Sequence, residues 1–174
     1  MKEVEVKILN VDRPKIEDRL IALGARKYFD DEIKAKAFDF EDEKIKKDKS
    51  LIRLRLEGTK AVLTFKKKLS AKESKICEEL QVDVSNFEEM KSILEQLGLK
   101  ETGSLVKHRI SYVLNNVKFE FDKFKEENDF VPEFLEIEAN DEETLFKYVE
   151  LMGFTKDDCK PWGGKKVINY YKNK

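Results

Sequence analysis

The chain has one histidine and two cysteines, and each scarcity removes a class of chemistry. A single histidine leaves histidine-ligated zinc and histidine-based triads almost without parts. Cys77 and Cys159 are too few for a disulfide framework and lack metal-ligand spacing. They are expected as reduced thiols, one buried and one near the surface, in a cytoplasmic protein. No apolar run approaches the length that spans a bilayer, and the N-terminus lacks the apolar core of a signal peptide. Charge of one sign is missing too: 35 lysines and arginines stand against 36 aspartates and glutamates, a formal net charge of -1. A dedicated nucleic-acid binder usually shows a basic excess, so neither nucleic acid nor membrane is expected as a partner.

What the chain has is charge in order. Charged residues make up 41% and hydrophobic residues 40% of 174, enough for a proper core in one domain spanning 1–174. The segment Glu3-Val4-Glu5-Val6-Lys7-Ile8 sets the pattern, because successive side chains of a strand point to opposite faces. Val4, Val6 and Ile8 go one way; Glu3, Glu5 and Lys7 go the other. The same split returns along the chain. Ile52, Leu54 and Leu56 oppose Arg53 and Arg55, and Leu63 and Phe65 oppose Thr64 and Lys66. Leu80, Val82 and Val84 oppose Glu79, Gln81 and Asp83, while His108, Ile110 and Tyr112 oppose Lys107, Arg109 and Ser111. Phe119 and Phe121 oppose Glu120 and Asp122; Leu135 and Ile137 oppose Glu136 and Glu138. Six cations and a comparable set of carboxylates therefore share one side of one sheet.

Residues 28–41 read as a less regular strand, and 77–84, 105–114, 117–124 and 133–139 complete a set of eight. The basic run within Glu41 to Ser50 reads as a solvated loop, and Lys66-Lys67-Lys68 as the entry to another. Asp12 can cap a helix with Pro14 in its first turn and Gly24 as its stop. Ser85 or Asn86 caps a second helix ended by Gly98, a third runs from near Asp141 to Gly153, and a short one follows Gly163-Gly164. This recurring strand, capped helix and glycine stop hints at a duplicated half. With the apolar side packed under helices, the charged side faces a lumen. The expected fold is α+β: an eight-stranded antiparallel β-barrel with helices packed on the outside, closure removing exposed edges. An open sheet with its charged face in water is the alternative.

Alternating cations and carboxylates in a lumen suit a polyphosphate and its metal. Lys7, Arg53, Arg55, Lys66, Lys107 and Arg109 are candidates to bind phosphates, arginines bidentately and lysines as point charges. Glu3, Glu5, Asp122, Glu136 and Glu138 are candidates to hold Mg²⁺ or Mn²⁺, hard ions that prefer oxygen. Glu79 and Glu120 complete the charged wall, and Lys66 and Glu5 are the catalytic candidates. Any one pair could be a plain cross-strand salt bridge. Burying the whole set without a ligand is costly.

Glu3-x-Glu5-x-Lys7 also resembles the ExExK signature of the CYTH, or triphosphate tunnel metalloenzyme, family. The resemblance continues in order through Arg53-x-Arg55, Lys66, Glu79, Lys107-x-Arg109, Asp122 and Glu136-x-Glu138. It implies an eight-stranded tunnel and a divalent-metal-dependent reaction on a small-molecule triphosphate: inorganic triphosphate, ATP or thiamine triphosphate. Hydrolysis of a terminal phosphate is the leading expectation. Class IV adenylyl cyclase chemistry and a non-catalytic polyphosphate-binding module are the alternatives, and a homodimer stays open. The chain departs from the family pattern in places. Gln81 stands where a second carboxylate is frequent, and Cys77 where a basic residue is common, with Lys75 further back. Some hydrolytic members activate water with a Lys–Tyr pair whose tyrosine lies on the second strand, where this chain has Ala37-Phe38-Asp39. The N-terminus, Met1-Lys2-Glu3, has no room for the His-Phe pair of bacterial cyclases.

Overall fold

A computed structural model describes residues 2–174. The eight main strands are β1 (Lys2–Ile8), β2 (Arg26–Asp39), β3 (Ser50–Glu57), β4 (Lys60–Ala71), β5 (Lys75–Val84), β6 (Lys100–Leu114), β7 (Val117–Phe124) and β8 (Phe134–Ala139). They pair antiparallel in the order β5-β4-β3-β2-β6-β7-β8-β1, and β1 closes the barrel on β5 with Glu3 opposite Cys77 and Glu5 opposite Lys75. A two-residue β9 (Cys159–Lys160) pairs with the end of β1. Closure satisfies the backbone donors and acceptors that an open sheet would leave at its edges.

The helices lie outside: α1 (Arg13–Ala22), α2 (Lys44–Lys47), α3 (Phe87–Gln96), α4 (Glu142–Leu151) and α5 (Gly164–Lys172). Their starts follow from side chains that accept orphan backbone N–H groups. Asp12 accepts from Lys15, Asn86 from Glu88 and Glu89, and Asp141 from Thr144. Gly24, Gly98 and Gly153 end three helices with φ of 83, 89 and 86°, a conformation costly for any residue with a Cβ. The likeness stays local. Helices α1 and α4 share one apolar cluster with β1, β7 and β8, whereas α3 covers a separate cluster around Phe38 and Leu54. Among the described residues no helix is long and apolar enough to cross a membrane.

Alternation decides which side chains face which way. Val4, Val6, Phe119, Phe121, Leu135 and Ile137 are fully buried under α1 and α4, which turns Glu5, Lys7, Glu120, Asp122 and Glu136 into the lumen.

Four local readings change. The second strand stops at Asp39, because that carboxylate accepts from the N–H groups of Phe40, Ile45 and Lys46 and so folds the chain into α2. The basic stretch expected as a loop therefore contains one helical turn. Lys66-Lys67-Lys68 lies inside β4, paired with Glu79, Glu78 and Cys77. Both thiols are buried, Cys159 at 7% exposure, because β9 holds it against Ile8 at the edge of the core.

Candidate functional site

The inward side chains line one cavity of about 380 Å³. Eight acidic residues (Glu3, Glu5, Glu57, Glu79, Glu120, Asp122, Glu136, Glu138) face eight basic ones (Lys7, Arg53, Arg55, Lys66, Lys75, Lys107, Arg109, Lys118). The counts balance, so what matters is which charges are satisfied by the others. One end is walled by Phe124, Phe134 and the Gly163–Gly164 start of α5.

Three carboxylates converge. Glu3, Glu5 and Glu136 each place an oxygen within 4.8 Å of the other two. Lysines hold them together. Lys66 lies 2.7 Å from both Glu3 and Glu79, Lys7 lies 2.9 Å from Glu136 and 3.1 Å from Glu5, and Lys75 lies 2.8 Å from Glu5. Burial alone would raise the pKa of Glu5, but Lys7, Lys75 and Lys66 outweigh it and bring it down to about 2. For Glu79, burial is outweighed by a hydrogen bond with Glu3 and by Lys66, which bring it down to about 2.

Asp122 and Glu138, also expected to hold metal, have other partners. Asp122 accepts from Arg109 at 2.6 and 2.7 Å and from Lys107 at 2.6 Å. Glu138 accepts from Lys118 at 2.6 Å. Even so, burial, Glu3 and Glu120 push Glu138 up to about 8. Arg109 also contacts Glu120 and reaches Glu136 at 3.5 Å.

Three cations are poorly balanced. Arg55 reaches Gln81 and Glu57, each at 3.1 Å. Arg53 has no ion pair or hydrogen bond among the described residues, and its Nε is buried without a partner. Burial, and then the neighbouring Arg55, lower its pKa to about 10. Lys107 falls to about 8 through burial and Arg109, since the carboxylate it touches is already neutralised by that guanidinium.

All the expected site residues thus line one lumen, and several others join them. Lys118 lies within 117–124 on the same two-residue period as Glu120 and Asp122, and Lys75 keeps the period of Glu79 two residues before 77–84, so the first was legible as it stood and the second had its strand been extended by two residues. Tyr28 carried no such signal, because a register shift between Lys27 and Phe29 breaks the alternation of β2. Its hydroxyl lies 3.4 Å from Glu120, and burial and that carboxylate raise its pKa to about 12, keeping it a neutral donor. On the second strand, Ala37 lies opposite Arg53 and Phe38 packs in the core.

Residues 1–158 match the family pattern described as the CYTH domain. A protein of Methanocaldococcus jannaschii named as a candidate adenylate cyclase is 30% identical over 125 residues, 70% of this chain and 70% of that protein. The solved PH1012 protein of Pyrococcus horikoshii superposes with a TM-score of 0.77 at 26% identity, covering 96% of this chain and 99% of that one. A candidate adenylyl cyclase from Hippeastrum, described as having a dominant triphosphatase activity, superposes with a TM-score of 0.68 at 18% identity, over 99% and 96% of the two chains. At that identity the likeness is one of fold.

Proposed function

The chain belongs to the CYTH domain family, and from that premise we propose a divalent-metal-dependent enzyme that hydrolyses the terminal phosphate of a triphosphate held in the barrel. Arg53 carries the reading. A guanidinium whose Nε is buried and unpartnered, in a lumen where neighbouring charges are paired, calls for an anion. Arg55, Lys66, Lys107 and Arg109 line the same lumen, so a run of phosphates can be met along its length.

The trio Glu3, Glu5 and Glu136 suits Mg²⁺ or Mn²⁺, because its donors are all carboxylate oxygens within reach of one ion. A cation held there would supply positive charge to offset what gathers on the phosphate oxygens as the phosphoryl bond breaks. The remaining tasks fall to side chains. Burial opposes the charge on Lys66, but Glu5, Glu3 and Glu79 hold its pKa well above the ordinary lysine value. Lys66 therefore acts as a donor to phosphate oxygen and not as a base. Arg53, Arg55 and Arg109 fix the substrate, and Asp122 orients Arg109. Water attacks the terminal phosphorus as the bond from phosphorus to the bridging oxygen breaks; the electron pair leaves with the shortened polyphosphate, and the water's proton passes to the released phosphate. The unlinked thiols suit a reducing compartment, and we place the activity in the cytoplasm.

The Methanocaldococcus relative's name supports a second reading, conversion of ATP to cyclic AMP and pyrophosphate. Product analysis over inorganic triphosphate, ATP, GTP and thiamine triphosphate, with Mg²⁺ and then Mn²⁺, separates the outcomes. Orthophosphate is expected. Cyclic AMP with pyrophosphate would establish the second reading, and binding without turnover under both metals would mean a binding module.

A further inference from the structure

We propose that Lys75 is a built-in competitor for the metal, an ammonium that holds Glu5 until a divalent cation displaces it and that then turns to the bound anion. The inference rests on reading Glu3, Glu5 and Glu136 as the cation site. Lys75 sits opposite Glu5 where β1 closes on β5, and its Nζ lies 2.8 Å from Glu5 Oε1. Lys7 and Lys66 also approach Glu5, at 3.1 and 3.8 Å. Each of those two has another carboxylate close by: Glu136 for Lys7, and Glu3 and Glu79 for Lys66. Among the described residues, Glu5 is the only ion-pair partner of Lys75.

That difference assigns the role. A cation that takes over Glu5 leaves Lys7 and Lys66 partnered and leaves Lys75 without a counter-charge. The Lys75 side chain is mostly buried, 17% exposed, and lines the lumen. A confined, unpaired ammonium is stabilised by an anion in the same lumen. Two consequences follow. The metal alone binds weakly, because it competes with an ammonium for the same oxygen. Once the metal is in place, the phosphate seats gain a cation, so metal and anion each strengthen the other's binding by the same factor.

The test measures Mn²⁺ binding with no phosphate present, reading free Mn²⁺ by electron paramagnetic resonance, which needs no turnover. The proteins are wild type, Lys75→Met, Lys75→Arg and Glu5→Gln, each checked for a cooperative thermal transition; Lys75→Gln replaces Lys75→Met if that variant does not fold. Lys75→Met is expected to bind Mn²⁺ at least about tenfold more tightly, since a unit positive charge beside the ligand oxygen is gone. Lys75→Arg, which keeps the charge, should stay near wild type. A lysine that only supports the fold would loosen the site when removed, the opposite direction. Unchanged or weaker Mn²⁺ binding by Lys75→Met overturns the proposal. If Glu5→Gln still weakens Mn²⁺ binding in that case, the metal site stands and only the role of Lys75 falls. If Glu5→Gln has no effect, the cation site itself is refuted and the role of Lys75 with it.

Discussion

Arg109 grips Asp122 through two parallel bonds, Nε to Oδ1 at 2.6 Å and Nη2 to Oδ2 at 2.7 Å. A bidentate pair of this kind fixes the plane of the guanidinium as well as its position, so Asp122 aims a cation into the lumen.

Truncating Asp122, which is 1% exposed, leaves a buried guanidinium without its main partner. Asp122→Ala is expected to lower stability by about 3–5 kcal/mol, read from urea unfolding. The double variant Arg109→Met/Asp122→Leu should lose less, because the guanidinium goes together with its carboxylate and the two charges left behind, Lys107 and Glu120, are of opposite sign. Equal losses in both would mean that packing, not charge pairing, sets the cost.

Arg53 should behave in the opposite way. Among the described residues its buried Nε has no hydrogen-bond partner, so Arg53→Ala should leave unfolding unchanged or slightly improve it. Triphosphate binding, measured by calorimetry, should weaken by about 2–5 kcal/mol. Lys46→Ala is the control: that side chain is exposed and pairs with Glu43 on the outside, and its loss should leave affinity untouched.

Acid should unfold the protein through the lumen carboxylates. Glu5 and Glu79 sit at about 2 in the fold against an ordinary 4.5. A carboxylate with a lowered pKa contributes stability that is fully present above about 4.5 and is lost as pH falls toward about 2. Melting temperature should therefore drop steeply across that window. Glu79→Gln should flatten the slope; a slope identical to wild type would remove Glu79 from the account.

Both thiols should resist modification. Cys77 and Cys159 are buried, and burial pushes Cys159 up to about 11, with Asp158 adding to it. A disulfide reagent at neutral pH should react slowly with the folded protein and at two sites per chain in denaturant. Fast labelling in the native state would contradict the packing of β9 at Cys159 or of β5 at Cys77.

The barrel was legible because the two-residue period is a strong signal wherever one face is apolar. Val4, Phe119 and Ile137 could only go outward under helices, and Glu5, Glu120 and Glu136 followed to the inside. Strand ends were less legible, because what stops β2 is the side chain of Asp39 bonding to backbone six and seven residues on. The set of charged residues was readable, but their partners were not. Pairing depends on how β1 meets β5, and nothing in a linear pattern puts Lys75 beside Glu5. Tyr28 was hidden for a related reason, since a bulge erases the period that would have pointed it inward.

The central claim, that the lumen binds a polyphosphate with its metal, is tested most directly by a thermal-shift series at fixed ionic strength. A ligand that binds only the folded state raises its melting temperature by mass action. Inorganic triphosphate with Mg²⁺ or Mn²⁺ should raise it by more than the two separate shifts added together. Pyrophosphate should do less and orthophosphate little, and Arg53→Ala should abolish most of the gain. A shift that follows ionic strength but not anion length, and that survives Arg53→Ala, would contradict the account.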